Sequence, residues 1–145
     1  MNIFVDTADI QKIVEYHALG LIKGVTTNPE ICGLQAISRN PVDLIKKIIE
    51  VMDDGYIFVQ VISRDPKQQV EEAKFLSDMG PKMVIKVIMD RNGLQSIPIM
   101  VKNGLQVSAT AVNSIGRAIL AAECGAHYMI PYYGWLEDTW RKIPA

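Results

Sequence analysis

Short apolar runs alternate with amphipathic stretches along the whole chain, and this alternation restricts the fold more than any single motif does. The runs at residues 3–5, 24–27, 56–62, 83–88, 105–111 and 127–131 are mostly aliphatic or β-branched and too short for helices, which predicts six strands. Between them, apolar side chains recur at helical spacing in four stripes. These are Ile10, Ile13, Val14 and Ala18; Val42, Ile45, Ile48, Ile49 and Met52; Val70, Ala73, Leu76 and Met79; and Ile115, Ala118, Ile119 and Ala122. Asp65-Pro66 reads as an N-cap followed by proline at the first helical position. Gly20, Gly80, Gly104 and Gly125 fall where helices should stop. Pro98 lies inside a fifth helical segment and is expected to kink or restart it.

Strand and helix alternating in units of about 21 to 33 residues predict a parallel sheet built from right-handed crossovers. A doubly wound open sheet and a (β/α)₈ barrel both satisfy that pattern. The glycine-rich nucleotide fingerprints that often mark the open sheet are absent, which lowers that solution without excluding it. The 145 residues are enough for one domain, read as 1–145.

Charge narrows the partners. Fifteen Lys and Arg against 16 Asp and Glu leave no broad basic surface, so neither nucleic acid nor an anionic membrane is an expected partner. No apolar run approaches the ~18 residues of a membrane span, and the N-terminus shows no basic region or cleavage site, so a cytoplasmic, soluble protein is expected. Cys32 and Cys124 lack metal-ligand spacing and are expected to be buried free thiols in a reducing compartment. His17 falls in a helical pattern and His127 opens a strand; both are read as structural, and no metal site is expected.

One strand carries an anomaly. In Met83-Val84-Ile85-Lys86-Val87-Ile88-Met89 a lysine stands among six apolar residues, although lysine is almost never buried unless paired or used. Strand side chains alternate, so Lys86 shares a face with Val84 and Ile88. The same parity gives each of the other strands a polar residue at or near its C-terminal end: Asp6; Thr26 and Asn28; Gln60; Ser108 and Thr110; and Tyr132. If the strands curl into a barrel, these residues line the lumen at the end where (β/α)₈ barrels hold their active sites. Alternatively each is a strand terminus reaching solvent, which explains Lys86 and Gln60 least well because they lie in mid-strand. A buried lysine loses ammonium solvation and its pKa falls. The neutral amine can attack a ketone to form an imine, an electron sink for cleaving the adjacent C–C bond. Asp6, Asn28, Gln60, Thr110 and Tyr132 are of the right types for acid–base work and for holding polyol hydroxyls.

Phe4-Val5-Asp6-Thr7-Ala8, Gly24-Val25-Thr26-Thr27-Asn28-Pro29, Val84-Ile85-Lys86-Val87 and Ile130-Pro131-Tyr132 resemble the small transaldolase/fructose-6-phosphate aldolase family, in order over nearly the whole chain. The resemblance implies a (β/α)₈ barrel and class I, Schiff-base aldol chemistry on a dihydroxyacetone-type donor, without a cofactor and with a small carbohydrate substrate. It matches Lys86 to the imine-forming lysine, Asp6 and Asn28 to residues holding donor hydroxyls, and Thr26, Ser108 and Thr110 to pocket-lining positions. It also implies a homo-oligomer. Transaldolases of this family typically carry glutamate and phenylalanine where this chain has Gln60 and Tyr132. The pair is therefore aldolase-like, with Tyr132 able to transfer a proton through water.

Three departures from the family pattern stand out. Ile88 replaces a usual proline, and Trp135 replaces a usual phosphate-holding arginine, which disfavours a phosphorylated acceptor. Only about six β/α units are visible, and residues 136–145 do not read as another strand. The expectation is an incomplete barrel lacking its last two units, either a fragment or a naturally short protein. A class I aldolase is the leading functional expectation. A non-catalytic remnant serving binding or assembly, and a transaldolase, are the alternatives.

Overall fold

A computed structural model describes residues 2–35 and 40–134 of the chain. Six strands appear: β1 Phe4–Asp6, β2 Gly24–Thr26, β3 Tyr56–Gln60, β4 Met83–Ile88, β5 Val107–Val112 and β6 Tyr128–Pro131. They form one parallel sheet in the order β1-β2-β3-β4-β5-β6. Sequence order equals spatial order, with no reversal, so the sheet winds in one sense and curls as an incomplete (β/α)₈ barrel rather than a doubly wound sheet. The expected strands are all present, with ends shifted by one or two residues except at β4.

The helices are α1 Ile10–Ala18, α2 Pro29–Gln35, α3 Pro41–Val51, α4 Pro66–Ser77, α5 Arg91–Lys102 and α6 Ile115–Glu123. The Asp65 carboxylate caps α4 by accepting from the backbone N–H groups of Lys67 and Gln68, with Pro66 at the first position as its fixed φ favours. Gly20, Gly104 and Gly125 take the left-handed conformation after α1, α5 and α6, which lets each helix end tightly; Gly80 does not. Short α2 did not show in the helical pattern; the Asn28 side chain accepts from Ile31 N at 2.9 Å and starts it, just ahead of Pro29.

The core lies between sheet and helices. Ile13, Ile45, Ile48, Ala73, Ile97 and Met100 pack from the helices onto Val25, Ile57, Val59, Ile85, Val87 and Val107 of the strands. The stripes of α3 and α4 are buried or half-buried as their spacing implies. Two stripes depart from expectation. On α1, Val14 and Ala18 are exposed; on α6, Ile115, Ile119 and Ala122 are exposed, and Ala121 is the buried position. Both helices flank an end of the sheet, so only one side of each meets a neighbouring unit.

Pro98 sits inside an uninterrupted α5. Its missing N–H frees the Leu94 carbonyl, and the Cys124 thiol donates to that oxygen at 3.9 Å. Cys124 is therefore half-buried rather than buried as expected, whereas Cys32 is buried; both are free thiols. No helix among the described residues is long and apolar enough to cross a membrane.

Candidate active site

β4 lies inside the sheet, flanked by β3 and β5, and its register sets Gln60, Lys86 and Ser108 side by side in one row. The row below runs from Asp6 and Thr26 on β1 and β2 to Phe58 and Val84 on β3 and β4. Phe58 pairs with Val84, and the Phe58 ring meets Phe4 and Tyr128 edge-to-face at centroid distances of 5.2 and 5.1 Å. These rings form an aromatic floor to the lumen, lining a cavity of about 290 Å³ together with Thr26. Gly24 belongs to that floor too, because a Cβ there would lie 2.8 Å from the Phe4 ring and 2.4 Å from the Tyr56 carbonyl oxygen.

Lys86 is only 3% exposed. Its Nζ reaches past β3 to donate to Thr26 Oγ1 at 2.9 Å and to the Thr27 carbonyl at 2.7 Å. A neutral amine has two N–H donors and one lone pair, so this arrangement satisfies both hydrogens and leaves the lone pair for a carbonyl carbon. An ammonium would carry a third proton. Burial pushes the Lys86 pKa down; the nearby Asp6 carboxylate, and less so Cys32, partly offset that shift. Thr26 Oγ1 in turn donates to Asp6 Oδ1 at 3.1 Å, so an amine on β4, a hydroxyl on β2 and an exposed carboxylate on β1 form one chain of contacts.

Sequence parity did not single out Thr27 or Cys32. The Thr27 carbonyl receives Lys86, and its hydroxyl donates to the Phe58 carbonyl at 3.0 Å. Side-chain alternation cannot place a backbone oxygen; the doubled threonine in Gly24-Val25-Thr26-Thr27 was the available signal. Cys32, on the first turns of α2, lies near Thr27 and Lys86, and burial pushes its thiol pKa up. Asn28 spends its side-chain oxygen on capping α2, and the cap does not use its amide nitrogen.

On β5, Ser108 Oγ and Thr110 Oγ1 are buried with no hydrogen-bond partner among the described residues. A bulge contributes: Ala109 pairs with Met129 and Val112 with Pro131, so Thr110 and Ala111 together oppose Ile130. Ala111 adopts φ 57°, a conformation costly for a residue with a Cβ, and Arg117 donates to its carbonyl at 3.4 Å. Thr110→Val keeps the shape and removes the unpaired hydroxyl. The variant is expected to unfold at higher urea concentration, by about 1 kcal/mol of stability, with a constant m-value. A destabilised variant would show that the hydroxyl is already satisfied.

Tyr132 directly follows β6 and is half-buried; its backbone N–H donates to the Val112 carbonyl at 3.2 Å. Trp135 and residues 136–145 lie outside the described residues. The grouping of His17, Asp53 and Asp54 sits at the opposite, N-terminal end of the strands and is largely exposed, with His17 Nε2 and Asp53 Oδ1 3.3 Å apart.

The described geometry is a lysine-centred cluster at the C-terminal end of a parallel, barrel-like sheet. A model of the transaldolase/fructose-6-phosphate aldolase family matches residues 3–145. The chain belongs to that family. Among curated relatives, a "Probable transaldolase" of Methanococcus maripaludis is 37% identical over 139 residues, covering 96% of this chain and 63% of the relative. Another from Clostridioides difficile is 39% identical over 138 residues, covering 95% and 62%. One from Pelotomaculum thermopropionicum is 37% identical over 139 residues, covering 96% and 63%. The chain thus spans less than two thirds of the length of these family members.

Proposed function

We propose that the chain carries the imine-forming part of a class I aldolase site, acting on a dihydroxyacetone- or hydroxyacetone-type donor and an aldehyde, as in a fructose-6-phosphate aldolase. The observation that carries the proposal is the Lys86 amine, dry and with both hydrogens of its neutral form engaged. In this reading its lone pair attacks the ketone of the ketose, and the carbonyl oxygen departs as water. The hydroxyl beyond the scissile C–C bond gives its proton to Tyr132 through water, and the aldehyde leaves as the iminium takes the electron pair of that bond, forming an enamine. The proton returns through Tyr132 to the enamine carbon, restoring the iminium. Water then hydrolyses the iminium to the donor ketone and the free amine. Asp6, Asn28, Thr26, Gln60, Ser108 and Thr110 hold the hydroxyls of the carbohydrate, with the two unpartnered β5 hydroxyls supporting that role.

Incubation with dihydroxyacetone and borohydride, followed by intact mass measurement, tests the proposal. A reduced adduct is expected on the parent and none on Lys86→Met. No adduct on folded parent protein supports instead a non-catalytic remnant. The relatives' names favour a second reading, a transaldolase. Gln60 and Tyr132 favour the aldolase. Release of the donor as a free ketone separates that activity from transfer confined to an aldose acceptor.

A further inference from the structure

A side-chain clasp holds the segment that follows β3. The strand ends at Gln60, opposite Lys86 in the ladder. The next residue makes the last backbone bond of the β3–β4 pairing, from Val61 N–H to the carbonyl of Lys86 at 3.1 Å. The two N–H groups after that turn to a carboxylate. Ile62 N–H lies 3.0 and 3.2 Å from the two Glu72 oxygens, and Ser63 N–H donates to Glu72 Oε2 at 3.0 Å. Glu72 stands in mid-α4 and has no ion-pair partner among the described residues, so its charge is spent on the backbone. The same helix grips the segment again. Gln69 Nε2 donates to the Ser63 carbonyl at 2.9 Å, and Gln69 Oε1 accepts from Ser96 Oγ of α5 at 2.6 Å.

Gln69 and Ser96 are both buried. Burying such groups costs free energy unless each is bonded, and an apolar pair of the same shape in their place would be nearly neutral. Stability alone therefore does not call for them. The segment has little packing of its own at this point, because Ile62 is 68% exposed. Chain ends of an element open first. Here the last ladder bond lies one residue beyond Gln60, and the pairing of β3 with β2 has already stopped at Phe58. β4 is held from its other side by β5, so losing that bond would leave Lys86 in place and free Gln60. Among the described residues the Gln60 side chain has no hydrogen-bond partner, so the backbone that carries it decides where its amide points.

We propose that Glu72 is a positioning residue for Gln60, supported by Gln69 and Ser96. Its carboxylate locks the end of β3, so that the Gln60 amide meets a donor hydroxyl beside the Lys86 amine. This role rests on the aldolase reading for its donor, while the clasp itself stands on the hydrogen bonds.

The test is a double-mutant cycle read by the borohydride adduct. The dihydroxyacetone concentration that gives half-maximal adduct is measured for the parent, Glu72→Ala, Gln60→Ala and the double variant. Each single change is expected to raise it about 5-fold, the worth of one hydrogen bond, and the double variant no further. Glu71→Ala, at the exposed neighbouring position, should match the parent. A merely structural role would add to the loss of Gln60, so additive effects overturn the proposal. A folded Glu72→Ala with the parent's value overturns it too. Should Glu72→Ala not fold, Glu72→Gln takes its place in the cycle. It keeps the shape and one acceptor oxygen but sets an NH₂ against the second backbone N–H, and about a 3-fold rise is expected. A folded parent that yields no adduct removes the aldolase reading and leaves the clasp to be judged on Gln60 itself. The Gln60 side-chain amide should then give one pair of NMR signals in the parent and a shifted or doubled pair in the Glu72 variant. An unmoved pair overturns the proposal.

Discussion

Gly24→Ala is expected to lower stability by about 3 kcal/mol, whereas Gly33→Ala is expected to raise it by about 0.5 kcal/mol. The same methyl group is added in both, and only its surroundings differ. At Gly24 the new carbon would lie 2.4 Å from the Tyr56 carbonyl oxygen and 2.8 Å from the Phe4 ring, contacts that real side chains do not make. The carbonyl belongs to the neighbouring strand and cannot swing aside, so β2 must move away from β3. At Gly33, on the exposed side of α2, nothing lies within 4 Å, and alanine gains by its better helix propensity. Urea unfolding of the three proteins measures both effects. The Gly24 variant has a second consequence, because Thr26 ends the same strand and Thr27 directly follows it. A shift there separates Lys86 from both of its acceptors, so adduct yield should fall even in protein that is still folded. Equal stability of the two variants would mean that β2 does not approach β3 as closely as described.

Lys86→Met should remove a pH dependence of folding. The folded pKa of Lys86 is pushed below its ordinary 10.5 by burial. Between that depressed value and 10.5 the unfolded chain binds a proton at this side chain and the folded chain does not. The unfolded state therefore binds more protons, and stability contributed by this group rises as pH rises and falls as pH falls. Within that window the parent should gain on the methionine variant as pH rises, by at most about 1.4 kcal/mol per pH unit. The Asp6 carboxylate narrows the window by favouring the ammonium, and Cys32 does so more weakly. Urea unfolding of both proteins at steps from about pH 7.5 to 10 reads the difference. A parent-minus-variant difference that stays flat across those steps would sink the claim that the amine is held neutral.

Much of the site was legible because it rests on side-chain alternation. An apolar strand with one lysine, and polar residues on the same parity in its neighbours, places Lys86, Thr26, Gln60 and Ser108 on one wall without any structure. What could not be read rests on other causes. The Thr27 carbonyl is a backbone group, and parity describes only side chains. The carbonyl freed by Pro98 is met by Cys124, from the next β/α unit, so local sequence reads as a break where tertiary contact supplies a donor. The Ala111 bulge carries no glycine to announce it. The α6 stripe shows the limit of periodicity: spacing tells which residues share a face, and Ile115 and Ile119 do share one, but not whether a neighbour covers it.

The position of the amine within the sheet has a last consequence. Lys86 stands on a strand clamped on both sides, while its acceptors lie at the end of β2 and just after it, next to the three-residue edge strand that supplies Asp6. Stability in a sheet falls toward its margins, where fewer apolar contacts and more accessible hydrogen bonds hold the chain. The amine is thus rooted in the more durable part of the fold, and the carboxylate at the end of its hydrogen-bond chain in the least. Fraying of β1 would uncouple the carboxylate while β3, β4 and β5 stay paired. Spectroscopic melts would still count such molecules as native, although Lys86 and Thr26 had already lost their link to Asp6.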